Sequence, residues 1–150
     1  MSHALVIAAG NADRGDDGAG PAVAELLRSP EVAAELLVPR VLPPDLHASW
    51  TSASRVVIVD AVRSGARPGT VHRLDARAAP LPAALQSLST HGVGLARAVE
   101  LARVLDALPA ELTVFGIEAE ACELGQPLSP AVARAVHEVA DAVRRQLERA

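Results

Sequence analysis

Val56-Val57-Ile58-Val59-Asp60 sets four β-branched residues in a row directly before a carboxylate. β-Branched side chains favour the extended pleat. A run with no polar alternation fits a strand covered on both faces, as in a parallel sheet between helical layers. The strand is expected to end at Asp60. Upstream, Leu5-Val6-Ile7-Ala8 is a second short apolar run, stopped by Gly10-Asn11. Asp13 to Gly20, rich in Gly and Asp, reads as a loop. Pro21 then suits the first turn of a helix through Ala22, Val23, Leu26 and Leu27. Leu36 to Val41 reads as another strand, and Pro43-Pro44 opens a short helix or loop that holds Trp50.

Downstream, Gly69-Thr70-Val71-His72-Arg73-Leu74 alternates like an outer or edge strand. Ser89-Thr90 has the pattern of an N-cap before a helix with the apolar stripe Leu95, Val99, Ala102 and Leu105. Leu112 to Ile117 is a further β-branched strand. Ser129-Pro130 caps a last helix whose stripe is Val132, Val136, Val139, Val143 and Leu147. Strands alternating with helices indicate an α/β domain with a mostly parallel sheet between helical layers.

Composition narrows the function classes. The chain has 150 residues, 50% hydrophobic and 21% charged, the size of one compact domain. Its mean hydropathy of +0.24 excludes a disordered tail. One cysteine, Cys122, excludes a disulfide framework and any multi-Cys zinc or iron–sulfur site. All basic residues are Arg, so there is no P-loop lysine and no Schiff-base lysine. A net charge of −4 with 1% aromatic residues gives no basic face and no stacking platform for nucleic acid. No apolar run approaches the ~20 residues of a membrane span. Met1-Ser2-His3-Ala4 lacks the pattern of a signal peptide, and the expectation is a cytoplasmic domain over 1–150.

In parallel sheets ligands bind beyond the carboxyl ends of the strands. Three polar groups fall there: Asp16-Asp17 after the first strand, Asp60 at the end of the third, and His91 where a helix is expected to begin. Two carboxylates and an imidazole on three connections suit a borderline divalent ion and leave positions open for other ligands. A helix start disfavours added positive charge, which keeps His91 in its neutral, metal-binding form. Neighbouring residues do not both face one pocket, so one of Asp16 and Asp17 is expected to face the metal and the other to serve a turn or cap. An aspartate ending a buried strand needs a partner, since burying it alone is costly.

The remaining candidates carry less. His3, His47, His72 and His137 have no patterned neighbours and read as surface or helix-face residues. Cys122 reads as a small buried or half-buried thiol, because no Cys–His motif supports a nucleophile. Glu118, Glu120 and Glu123 read as a solvated acidic loop at the rim. Gly15-x-x-Gly18-x-Gly20 reverses the spacing of a dinucleotide fingerprint.

Several segments together resemble the hydrogenase maturation endopeptidases that process the large subunit of nickel–iron hydrogenases. They are Gly10-Asn11-Ala12-Asp13-Arg14-Gly15-Asp16-Asp17-Gly18-Ala19-Gly20, Val59-Asp60-Ala61-Val62, Pro68-Gly69-Thr70, Ser89-Thr90-His91-Gly92-Val93-Gly94-Leu95 and Gly125-Gln126-Pro127-Leu128-Ser129-Pro130. The resemblance implies one twisted, mostly parallel sheet of about five strands with helices on both faces. It also implies a monomeric, metal-dependent endopeptidase that removes a C-terminal extension from the large-subunit precursor after nickel insertion. Carried over by position, Asp17, Asp60 and His91 are the catalytic and metal-contacting residues. The metal is nickel carried by the substrate, with another divalent ion as the alternative in the isolated protein. The family often has Glu where Asp17 stands, and a Gly-Gly-Thr turn where this chain has Leu42-Pro43-Pro44-Asp45-Leu46. Either a metal-activated water or a metal-polarised carbonyl fits this donor set.

Two other classes compete. A receiver-like phosphoacceptor signalling domain also places an Asp pair after the first strand and an Asp after the third, but it pairs its phosphate with a lysine that this chain lacks. A non-catalytic chaperone would bind the nickel-loaded subunit without cutting it.

Overall fold

A computed structural model describes residues 3–88 and 94–149 of the chain. Six strands form one sheet: β1 (Ala4–Ala8), β2 (Glu35–Leu37), β3 (Arg55–Arg63), β4 (Val71–Asp75), β5 (Gln86–Ser87) and β6 (Glu111–Glu118). Five of them run in the order β2-β1-β3-β6-β4, and the two-residue β5 pairs with β3 beside that path. The pairs β1–β2, β1–β3 and β3–β6 are parallel, whereas β4 is antiparallel to β6 and β5 to β3. The expected α/β architecture is therefore observed, with β4 as the outer strand its alternation indicates.

Alternation along β3 divides the core in two. Val57, Val59 and Ala61 face α1 (Ala19–Leu27) and α3 (Pro130–Glu148), packing with Val23, Leu27, Phe115, Val132, Val136 and Val139. Val56, Ile58 and Val62 face α2 (Leu95–Val104) and the 3-10 turn at Leu46–Trp50, packing with Leu46, Trp50, Leu95, Val99 and Val114. Trp50 satisfies its indole by donating Nε1–H to the Ala107 carbonyl at 2.7 Å. Among the described residues no helix is long and apolar enough to cross a membrane.

Several boundaries differ from expectation. β3 does not stop at Asp60 but continues to Arg63, because β6 pairs with it as far as Val62–Glu118 and β5 covers Val62 and Arg63 on the other edge. β2 ends at Leu37, because β1, its partner, has its last β2 pair at Ile7–Leu37. Leu105 lies beyond the last residue of α2 and is 54% exposed, so Ala98 replaces it in the buried stripe. The expected cap at Ser89-Thr90 falls outside the described residues; α2 starts at Leu95 with Gly94 at its N-cap.

The first loop is pressed against the strands by glycines. A Cβ on Gly10, at φ 144°, would lie 2.0 Å from the Asp17 carbonyl oxygen, and one on Gly20 would lie 2.2 Å from that of Ala9. No side chain fits at either position. The chain leaves β1, turns back on itself and enters α1 within van der Waals contact of its own strand.

Candidate functional site

From β1 the chain crosses by α1 to β2 on one side, then returns through the Leu46–Trp50 turn to β3 on the other. These two connections lie on opposite faces of the sheet. The carboxyl ends of β1 and β3 therefore border a topological switch crevice, the position where such sheets bind ligands. The last β1–β3 pair is Ala8–Val59, extended by the hydrogen bond from Ala9 N–H to the Val59 carbonyl at 2.9 Å. Asp60 is the next residue, 3% exposed, and by alternation with Ile58 and Val62 it lies on the α2 face.

The two neighbouring aspartates behave differently. Asp16 is fully buried and accepts four hydrogen bonds. Its Oδ2 takes the Glu120 amide at 2.8 Å, the Ala121 amide at 3.1 Å and the Ser129 hydroxyl at 2.9 Å, while Oδ1 takes the Ser129 amide at 2.7 Å. This carboxylate ties the β6–α3 connection onto the β1 loop. Ser129 does occupy the N-cap position of α3, but its Oγ–H serves Asp16 and not its own helix. Asp17 is half-buried in the 3-10 turn Gly15–Gly18, which touches β3. Its Oδ2 accepts the Asn11 amide at 3.1 Å. Burial pushes its carboxyl up from the ordinary range, opposed by that hydrogen bond and by the Arg14 guanidinium. A carboxylate whose charge is disfavoured by burial gains when a cation arrives, as a metal ligand must.

Asp17, in the turn after β1, and Asp60, on β3 just beyond its last pair with β1, thus both lie at the carboxyl end of β1, whereas Asp16 is structural. His91, the third expected ligand, lies outside the described residues. Among the described residues no three His, Cys, Asp or Glu side chains group closely enough to hold a metal. Asp17 and Asp60 are oxygen donors of the kind a borderline divalent ion accepts.

Cys122 is half-buried, with its Cα near where a Gly15 Cβ would stand. Burial pushes its thiol up; the charges of Asp17 and Asp16 add to this and Arg63 opposes it. Of the histidines without patterned neighbours, His3 meets Glu35 at 3.3 Å on the surface and His137 is exposed. His47 is half-buried, with its Nδ1 covered and lacking a hydrogen-bond partner among the described residues.

Two expectations are corrected. Glu118 is not in a solvated loop; it is the last residue of β6 and 1% exposed, because the strand outlasts its apolar run. His72 is no isolated surface residue, since its Nε2 meets Glu118 Oε1 at 3.1 Å. Ser64 completes the cluster, donating its amide to Oε2 at 2.8 Å and its hydroxyl to Oε1 at 2.6 Å. Burial would raise the Glu118 carboxyl, but the Ser64 hydrogen bonds and His72 outweigh it and hold it below its ordinary 4.5. An acid with a depressed folded-state pKa adds stability above its unfolded value and loses it as pH falls through the folded one. Denaturant midpoints taken between about pH 6 and about pH 3 should therefore fall toward acid, and Glu118→Gln should flatten that slope. An unchanged slope in the variant would exclude Glu118 as its source.

The hydrogenase maturation protease family model matches residues 41–146 of the chain. Among solved structures, the NiFe hydrogenase maturation protease HybD from Thermococcus kodakarensis is similar, with a TM-score of 0.74 and 26% identity over 97% of this chain and 99% of that one. The hydrogenase maturating endopeptidase HybD from E. coli gives a TM-score of 0.78 and 25% identity, over 97% and 91% of the two chains. The endopeptidase HycI from Escherichia coli, at 23% identity and a TM-score of 0.73 over 97% and 90%, shares the fold. No curated protein matches the chain by sequence.

Proposed function

Since the chain belongs to the hydrogenase maturation protease family, we propose that it is the endopeptidase that removes the C-terminal extension of a nickel–iron hydrogenase large-subunit precursor. It acts after nickel insertion, as a cytoplasmic monomer, and recognises the substrate's nickel through Asp17, Asp60 and His91. The observation that carries this reading is the placement of Asp17 in the turn after β1 and of Asp60 on β3 just beyond its last pair with β1, both bordering the switch crevice, with Asp16 spent on backbone amides. Nickel brought by the substrate would supply Lewis acidity to a water or to the scissile carbonyl. The chain supplies the fixed oxygens: Asp60 on a paired strand and Asp17 on a turn locked by Gly10.

Nucleophilic alternatives find little support. The Ser64 hydroxyl donates to the Glu118 carboxylate, whose pKa is held below the ordinary range and which is therefore a weak base, and the Cys122 thiol is pushed away from its reactive form. Cys122→Ser should accordingly retain cleavage within about twofold. A stably folded but inactive Cys122→Ser would restore a thiol mechanism. The test of the proposal is to incubate the protein with nickel-loaded precursor and weigh the product. Loss of the extension's mass supports the endopeptidase; stable binding without mass loss supports the chaperone.

A further inference from the structure

We propose that Glu118 is a positioning residue for this site: clamped between Ser64 and His72, it fixes the overhanging end of β3 and with it the place of Asp60. The reaction it serves is the one proposed above. β1 supports β3 only as far as Val59, so Asp60 to Arg63 project beyond it. On the other edge Glu118 stands opposite Val62, the last β3–β6 pair. Its side chain takes the amide and hydroxyl of Ser64, the residue immediately after β3. Its backbone takes the other end of the same loop, accepting from Gly69 N–H at 2.8 Å and donating to the Thr70 carbonyl at 2.9 Å. One residue thus holds both ends of the 64–70 loop.

The alignment across the sheet adds to this. Asp60 is in register with Gly116 on β6, and Gly116 with His72 on β4, so Asp60 and His72 lie on one face with no side chain between them. A Cβ on Gly116 would come within 3.1 Å of the Val62 side chain and 3.7 Å of the His72 Cβ. A buried carboxylate is a poor choice for holding a strand end by packing alone, because apolar residues of similar volume are often as stabilising or more so. What a carboxylate adds is direction: its oxygens hold the Ser64 amide and hydroxyl in one geometry. β5 pairs with the same overhang at Val62 and Arg63, so the end of β3 is held from both edges.

The experiment compares Glu118→Gln, which keeps the side chain's volume, with Gln146→Ala. Gln146 is buried at the opposite end of the sheet, where it accepts from Arg73 at 2.9 Å and donates to Thr113 Oγ1 at 2.8 Å. Both variants should lower Tm. Glu118→Gln should also lower kcat for nickel-loaded precursor about tenfold with KM within about twofold, and Gln146→Ala should leave kcat near wild type. Amide exchange at Ala61–Arg63 should accelerate in Glu118→Gln only. A wild-type kcat in Glu118→Gln, or equal kcat losses in both variants, would overturn the proposal. If the wild-type protein cleaves no precursor, the functional reading fails instead, and the exchange measurement alone decides: unchanged exchange at Ala61–Arg63 overturns the clamp.

Discussion

Asp16→Ala should be the most destabilising single substitution in the first loop, lowering folding stability by about 3–5 kcal/mol. The wild-type carboxylate is fully buried and accepts from three backbone amides and one hydroxyl. Removing it leaves the amides of Glu120, Ala121 and Ser129 without their acceptor, and each buried donor so orphaned costs about 1–3 kcal/mol. Relaxation and entering water offset part of that sum. The β6–α3 connection then loses its anchor on the β1 loop, although the hydrogen bonds from Gly15 N–H to Gln126 and from Gly125 N–H to Asp13 remain. Asp16→Asn offers no refuge, because its amide group would point donors at donors. Against a total of roughly 5–15 kcal/mol for a domain of this size, such a loss removes a large share of the folding stability. Asp17→Ala, removing a half-buried group with one hydrogen bond, should change stability far less. Urea unfolding of the three variants is the measurement. An Asp16→Ala midpoint close to wild type would show that the carboxylate is dispensable to the fold.

The contrast between these neighbours marks how far sequence carries. The Asp pair beside glycine, and the inability of adjacent side chains to face one pocket, foresee that one aspartate turns to backbone amides. Which one does so depends on the β6–α3 connection, more than a hundred positions away. The apolar runs of β1, β3 and β6 and the valine stripe of α3 were legible because period and β-branching are local properties. The overhang of β3 was not. It exists because β6 and β5 reach past the end of β1, and pairing partners set that length. The place of Glu118 is hidden from the sequence for the same reason. Beside Glu120 and Glu123 it looks like part of an acidic loop, and only the Asp60–Gly116–His72 register places it inside. A Gly in the middle of Val-Phe-Gly-Ile-Glu was the available signal, since a strand glycine often marks a close approach. β2 shows the opposite error: Leu36 to Val41 is apolar enough for a strand, but pairing ends at Leu37 and the Pro39 carbonyl accepts from Gly10 N–H at 3.0 Å.

Asp60→Asn should reduce cleavage of nickel-loaded precursor by at least about a thousandfold while the protein stays folded. Asparagine keeps the shape of the side chain on β3, so the valines around it need not repack. It removes the negative charge and one strong donor to a borderline divalent ion. His91→Ala should have the same effect, because it removes the proposed nitrogen ligand. In the proposed mechanism Asp17, Asp60 and His91, with no cysteine among them, would make a weak, open site, and an ion already held by substrate thiolates would need only these few ligands to fill its shell. In this mechanism the metal is the signal that insertion is complete. A precursor without nickel leaves the two carboxylates facing each other with no cation between them, and like charges repel. The decisive experiment strips the protein with chelator and offers nickel-loaded and nickel-free precursor in parallel, with Asp60→Asn alongside. Cleavage of the loaded precursor alone, lost in Asp60→Asn, is the expected result. Equal cleavage of both precursors would show that the nickel is not recognised, and cleavage that returns only on adding zinc would show that the enzyme carries its own ion.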